Sequence, residues 1–190
     1  MNLPNKLTLL RLALTAAFVV TLTIPLPLGP TLALLIFLVA VLTDYLDGVL
    51  ARRFGWITDF GKLMDPLADK VLTASAFICL IPKDAVPAWA VIIIIAREFL
   101  ITGLRLLAGS KGVVLPAERL GKHKTGWQMA TILFFLILLA LADWPGCLPD
   151  RILQIAWNGI GPVMIAVTVA LTIYSGCAYL WRNRGLIAEQ

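Results

Sequence analysis

Histidine and cysteine, the raw material of soft metal centres and disulfide frameworks, are almost missing from this chain. One histidine and three cysteines occur in 190 residues. Cys79, Cys147 and Cys177 form no Cys-x2-Cys pair, which argues against a zinc cluster and against a disulfide scaffold. Charge is scarce too. Asp, Glu, Lys and Arg make up 14% of the residues against 60% hydrophobic ones, and the mean hydropathy is +0.91. A chain this apolar excludes disorder and argues against an ordinary soluble domain. No internal repeat or low-complexity segment is present, and residues 1–190 read as a single domain.

What the chain has instead is long apolar runs. A membrane helix needs about 20 mostly apolar residues, and there is room for six, over roughly 7–25, 30–52, 61–81, 86–108, 120–142 and 158–181. Pro and Gly mark the breaks between them, in "PLPLGP" (25–30), "RRFGWITD" (52–59), "PKDAVP" (82–87), "GSKGVVLPAERLGK" (109–122) and "DWPGCLPD" (143–150). Arg11 interrupts the first run and no small-residue cleavage site follows it, so a retained helix is expected rather than a signal peptide. Gly159, Gly161 and Pro162, near the start of the last run, suggest close packing or a kink.

The net charge of +5 would suit a nucleic-acid partner, but its distribution points to topology. Six spans put Lys6, Arg11, Arg52, Arg53, Lys62, Lys70, the stretch from Arg105 to Lys124, Arg182 and Arg184 on one side, and only Lys83 and Arg151 on the other. This asymmetry predicts both termini in the cytoplasm, with membrane lipids rather than nucleic acid as the partner. Trp56 and Trp181 fall near the inner boundary, and Trp89 and Trp144 near the outer one, as interfacial tryptophans do.

The acids are placed least economically for such a chain. Asp44 and Asp47 are three apart, and Asp65 and Asp69 four apart, so each pair shares a helix face. A short connection makes the two helices antiparallel neighbours and brings both pairs to the cytoplasmic end. At about 4 Å and an effective dielectric of roughly 20, each ionised pair costs about 4 kcal/mol. Either some of these groups protonate or cations sit among them. Oxygen-only ligands favour Mg²⁺, Mn²⁺ or Ca²⁺ over zinc. Gly48, Ala51 and Gly61 clear space between the acids, and Arg52 lies one turn beyond Gly48, where it can meet phosphate oxygens. Metals, a cleared surface and a cation are the parts that stabilise a phosphoryl group in transfer. Helix capping and pairing with arginines explain Asp59, an N-cap candidate, but not all four acids.

The run D-x2-D-G-x2-A-R-x8-G-x3-D-x3-D, comprising Asp44, Asp47, Gly48, Ala51, Arg52, Gly61, Asp65 and Asp69, resembles the signature of the CDP-alcohol phosphotransferase family at all eight fixed positions. "NLPNKLTLLR" (2–11), "AREFLITGLR" (96–105), "GKHKTGWQ" (121–128) and "TIYSGCAYL" (172–180) are similar to its bacterial phosphatidylglycerophosphate synthase branch. The likeness runs nearly end to end and is least typical in "GSKGVVLPAERL". It implies an all-α integral membrane protein, six transmembrane helices around a cytoplasm-facing polar cavity, in a homodimer of the bacterial inner membrane. It implies two Mg²⁺ ions, with Mn²⁺ as an alternative, held by Asp44, Asp47 and Asp65, with Asp69 near one of them and acting as base. Gly48, Arg52 and Thr58 would hold the CDP moiety, and Asn5, Thr8 and Arg11 match a motif near the nucleotide. The substrates implied are CDP-diacylglycerol and glycerol 3-phosphate.

A dianionic acceptor needs a cationic pocket. Arg97 and Arg105 are eight apart, about two turns on one face. Lys122 and Lys124 open the next helix at its favourable N-terminal end. These four are the acceptor-phosphate candidates. Glu98 is expected to pair within the bundle, Gln128 and Ser175 to bond between helices, and His123 to be a solvated loop residue. Two rival readings remain open at this point. The same chemistry can act on inositol phosphate, serine or phosphatidylglycerol, or the aspartates can line the path of a divalent-cation transporter. Against the transporter, the acids cluster at one end and mid-membrane polar groups are few.

Overall fold

The computed structural model describes the backbone of residues 3–54, 59–110, 119–144, 146 and 149–184, and among these the side chains of all but 3–7, 45–54, 59–67, 69, 110, 119, 120 and 122. The described residues contain no strand. They form α1 (Leu3–Thr23), α2 (Gly29–Phe54), α3 (Asp59–Leu80), α4 (Ala88–Ser110), α5 (Arg119–Ala142), α6 (Asp150–Ile155) and α7 (Gly161–Arg182). A 3₁₀ turn, Ile81–Lys83, follows α3, and a π-helical turn, Ala156–Ile160, joins α6 to α7. Asp150–Arg182 is thereby one rod of 33 residues.

The first five helices coincide with the first five apolar runs to within a few residues, but they do not stop where hydrophobicity stops. α1 begins at Leu3 and α2 continues to Phe54, because backbone hydrogen bonding propagates into polar sequence once a helix is nucleated. The last rod departs further. A start near residue 158 is expected from hydropathy, and the rod starts at Asp150. Pro162 lacks an N–H, and its ring crowds the preceding turn. The helix absorbs this by widening: the Gly161 N–H reaches back five residues to the Ala156 carbonyl. Gly161 also makes room for a neighbour, since a Cβ there would lie 3.1 Å from two ring carbons of Phe135.

Between α1 and α2 the chain turns tightly through Leu28, at φ 55°. Gly29 follows, and a Cβ on it would sit 2.7 Å from the Thr21 carbonyl oxygen. At the same end of the bundle, Asp143 Oδ2 accepts from the Thr31 N–H (3.0 Å) and from the Thr31 hydroxyl (2.9 Å). This ties the end of α5 to the first turn of α2, where an acid is favoured by the helix dipole.

α1 packs chiefly against α2 and α3, α5 against α2 and α7, and α4 against α7. The buried centre is built from Phe18, Leu22, Phe37, Leu72, Phe77, Ile94, Ile132, Phe135 and Leu136. Phe18 meets Phe37 at 5.6 Å between ring centroids, and Phe135 meets Trp157 edge-on at 5.4 Å. The outward faces are apolar as well: Leu35, Ile92, Phe99, Val163 and Ile173 are exposed. Two rods, His123–Ala142 and Asp150–Arg182, are long and apolar enough to cross a membrane.

Truncating Phe37, which is fully buried, should destabilise the bundle by about 3–5 kcal/mol. Leu35→Ala, on an exposed face of the same helix, should change stability by less than about 0.5 kcal/mol. Thermal unfolding of the two purified variants in detergent checks this contrast, and equal shifts would show that the Phe18–Phe37 contact is not part of the core.

Candidate active site

The alternating order of the helices brings the start of α1, the end of α2, the start of α3, the end of α4, the start of α5 and the end of α7 to one end of the bundle, and the cross-helix ion pairs among the described residues lie there. Arg11 on α1 is 1% exposed, and its Nη2 lies 2.7 Å from Asp44 Oδ1 on α2. The Arg11 carbonyl also accepts the Thr15 hydroxyl at 2.8 Å, and Thr8, one turn before Arg11, is buried. A guanidinium this deep is stable only beside an anion, so Asp44 is held from within while its side chain remains 46% exposed on the other side. One carboxylate oxygen is thus anchored on a face that stays open, a suitable posture for a metal ligand.

Asp47 lies one turn on along α2, and Asp65 and Asp69 lie on α3. The helical backbone keeps each pair on one face, while the side chains of Asp47, Asp65 and Asp69 lie outside the described residues. The same holds for Asn5, Gly48, Ala51, Arg52, Thr58, Gly61 and Lys122. Among the described residues no three His, Cys, Asp or Glu side chains stand together, three of the four aspartates being excluded from that set. The donor chemistry itself, carboxylate oxygens with no sulfur or imidazole among the four acids, fits a hard divalent cation such as Mg²⁺.

In the second cluster the side chains of Lys70, Arg97, Glu98, Arg105 and Lys124 are among the described residues, and that of Lys122 is not. Arg97 on α4 donates through Nη2 to the Ser175 hydroxyl on α7 (3.2 Å) and through Nη1 to Glu98 Oε1 (3.3 Å). Gly176 is what lets the arginine lie there, because a Cβ at that position would come within 3.1 Å of Arg97 Cγ. Lys124 on α5 is 2% exposed and pairs with the same Glu98 oxygen. Lys70, the residue after Asp69, donates to the Glu98 carbonyl at 3.4 Å. Cations from α3, α4 and α5 therefore converge on one glutamate. Beside them is a cavity of about 160 Å³, walled by Lys70, Thr73, Glu98, Phe99, Lys124 and Gln128. Gln128 is buried, and its Nε2 has no hydrogen-bond partner among the described residues.

Arg105 lies two turns beyond Arg97 and reaches the same helix. Its Nε donates to the Tyr179 hydroxyl (3.2 Å), and its guanidinium lies 5.5 Å from that ring's centroid. Ser175 and Tyr179 are four apart on α7, so the two arginines read successive turns of one face. Of the four acceptor candidates, the structure joins Arg97 to Lys124 through Glu98, places Arg105 apart from them on Tyr179, and leaves Lys122 outside the described residues. Ser175 bonds between helices as expected. His123 does not sit in a loop: it is an exposed residue within α5, because that helix begins at Arg119. Sequence reasoning anticipated a partner for Glu98 but missed its place at the centre of the cluster. The only signal was that it is the sole acid in α4. Tyr179 carried no signal beyond its place in the "TIYSGCAYL" segment.

A family model described as CDP-alcohol phosphatidyltransferase matches residues 1–174. Over 194 aligned residues the chain is 36% identical to a CDP-diacylglycerol–glycerol-3-phosphate 3-phosphatidyltransferase of Bacillus subtilis, covering 96% of this chain and 95% of the relative. It is also 36% identical to a protein of the same description from Rickettsia bellii, covering 94% and 93%. A Mycobacterium tuberculosis protein described as a probable phosphatidylglycerophosphate synthase is 36% identical as well, covering 95% of this chain and 81% of its own length. With the match spanning nearly the whole chain, this protein belongs to the CDP-alcohol phosphatidyltransferase family.

Proposed function

We propose that the protein transfers the phosphatidyl group of CDP-diacylglycerol to sn-glycerol 3-phosphate, giving phosphatidylglycerophosphate and CMP in phospholipid biosynthesis. The observation that carries this reading is the convergence of Arg97, Lys124 and Lys70 on Glu98 beside the α3 segment that bears Asp69. That arrangement supports a cationic place for a phosphorylated acceptor near the helix that carries Asp65 and Asp69. The relatives' names agree with it.

The residues divide the work by charge. Asp44, Asp47 and Asp65, with Asp69 close by, would hold two Mg²⁺ ions or Mn²⁺ in their place, which when bound supply positive charge to the pyrophosphate and the departing CMP. Arg11 orients Asp44 for that role. Gly48, Ala51 and Gly61 leave room for the nucleotide, and Arg52, Thr58, Asn5 and Thr8 contact it. Arg97 and Lys124, with Arg105 and Lys122 flanking, hold the acceptor's phosphate and so fix its free hydroxyl. That hydroxyl oxygen bonds to the phosphorus carrying diacylglycerol, the bond from that phosphorus to the CMP oxygen breaks, and the hydroxyl proton passes to Asp69. An aspartate is a weak base for an alcohol, so the proton moves late, as the new P–O bond forms.

The setting is the bacterial inner membrane, with residues 1–190 forming one domain of six spans and both termini and the site at the cytoplasmic face. The exposed apolar faces of the helices support it, since water would leave them as one large sticky surface. The lipid tails of CDP-diacylglycerol then stay in the bilayer while glycerol 3-phosphate arrives from the cytoplasm, and a homodimer is the expected assembly.

With Mg²⁺ and CDP-diacylglycerol in detergent, CMP release is expected with glycerol 3-phosphate and not with serine or inositol phosphate. EDTA should abolish it. Comparable rates with another acceptor would move the protein to a sister activity, and metal-driven ion flux without CMP would make it a transporter. Asp69→Asn should lower kcat by about 10²–10⁴-fold with the fold intact; wild-type turnover in that variant would remove Asp69 from its role as base. Arg11→Met, which frees Asp44, should raise the Mg²⁺ concentration for half-maximal rate by about 10–100-fold. An unchanged Mg²⁺ titration would show that Asp44 needs no such anchor.

A further inference from the structure

Glu98 is the one feature of the acceptor region that an anion-binding site does not need. It places a carboxylate on Lys124 and Arg97, the two cations that the proposed reaction, on which this inference rests, assigns to the acceptor's phosphate. Neither cation is open to solvent: Lys124 is 2% exposed and the Arg97 side chain 14%. An incoming phosphate cannot pair with them fully while Glu98 holds them, because two anions would then share one small volume of low dielectric. Nor can the cations wait unpaired, since an isolated ammonium buried in an apolar bundle is very unfavourable.

We propose that Glu98 is a resident counter-anion of the acceptor site, one that neutralises Lys124 and Arg97 when no acceptor is bound and is displaced by the acceptor's phosphate. The surrounding charge suits an exchange of this kind. Lys124 and Arg97 both donate to the one carboxylate of Glu98. Two cations on one carboxylate leave positive charge over, and a phosphate dianion balances the pair better. The approximately 160 Å³ cavity against Glu98 and Lys124 gives the displaced side chain or the acceptor somewhere to go. Glu98 keeps the cations in place for binding and sets an entry condition as well. An alcohol with a phosphate replaces the carboxylate, whereas a neutral alcohol offers the cations nothing in exchange. Glu98 is thus a specificity-determining residue that acts through Lys124 and Arg97 rather than on the reacting atoms.

Steady-state kinetics and phosphate binding test this. Glu98→Gln keeps the size of the side chain and an oxygen for Lys124 but removes the charge. It should lower KM for glycerol 3-phosphate by about tenfold without raising kcat, and inorganic phosphate should bind it, by thermal shift, at about tenfold lower concentration than wild type. Both gains should vanish when Lys124→Gln is added. Glu98→Asp, too short to hold the pair, should shift KM in the same direction by less. A KM that rises or stays fixed in these variants would overturn the proposal and make Glu98 a fixed strut for Lys124. Failure of both single variants to fold would overturn it too, by assigning the residue to the scaffold. A wild-type protein that releases no CMP with glycerol 3-phosphate would instead reject the reaction, while the phosphate-binding comparison would still report on Glu98.

Discussion

Charges inside an apolar helix bundle persist only if each is neutralised where it stands, and this constraint organises the described contacts at the charged end of the molecule. Arg11 lies buried against Asp44. Arg97 and Lys124 share the carboxylate of Glu98. In both places a buried cation of one helix is neutralised by an acid of another, and under the proposed reaction these same groups meet metal and acceptor phosphate.

Close packing is what delivers the charged side chains to one another. Gly176 leaves the space in which the Arg97 stem crosses to Ser175. One turn along α7, Tyr179 receives Arg105 through its hydroxyl and its ring face. At the other end the constraint is steric. Gly29 lets α2 start against the Thr21 carbonyl, Gly161 admits the Phe135 ring, and Asp143 fastens α5 to Thr31.

Much of the architecture was legible in the sequence, because a helix in an apolar setting must be both long and hydrophobic. The first five helices lie where the apolar runs put them. The last was misjudged at its start, since Trp157, Asn158 and Gly159 dilute the hydropathy while the backbone continues through a π turn that Pro162 imposes. His123 was misplaced for a related reason: polar residues at the head of α5 look like a loop to a hydropathy reading. The aspartate motif was legible through its i, i+3 and i, i+4 spacing, which is a local property. The coordination around Asp47, Asp65 and Asp69 lies outside the described residues, so their part remains as the resemblance states it.

The order of residues alone determined the all-helical class, the count of six long rods and the end at which basic residues and the aspartate motif collect, all of which follow from periodicity and composition along a single strand of sequence. Only the tertiary structure decided which charges meet. Arg11 and Asp44 are 33 positions apart, Glu98 and Lys124 are 26 apart, and Arg97 and Ser175 are 78 apart. Such pairs are settled by how helix faces rotate against one another, a matter of packing volume, and no local pattern encodes it.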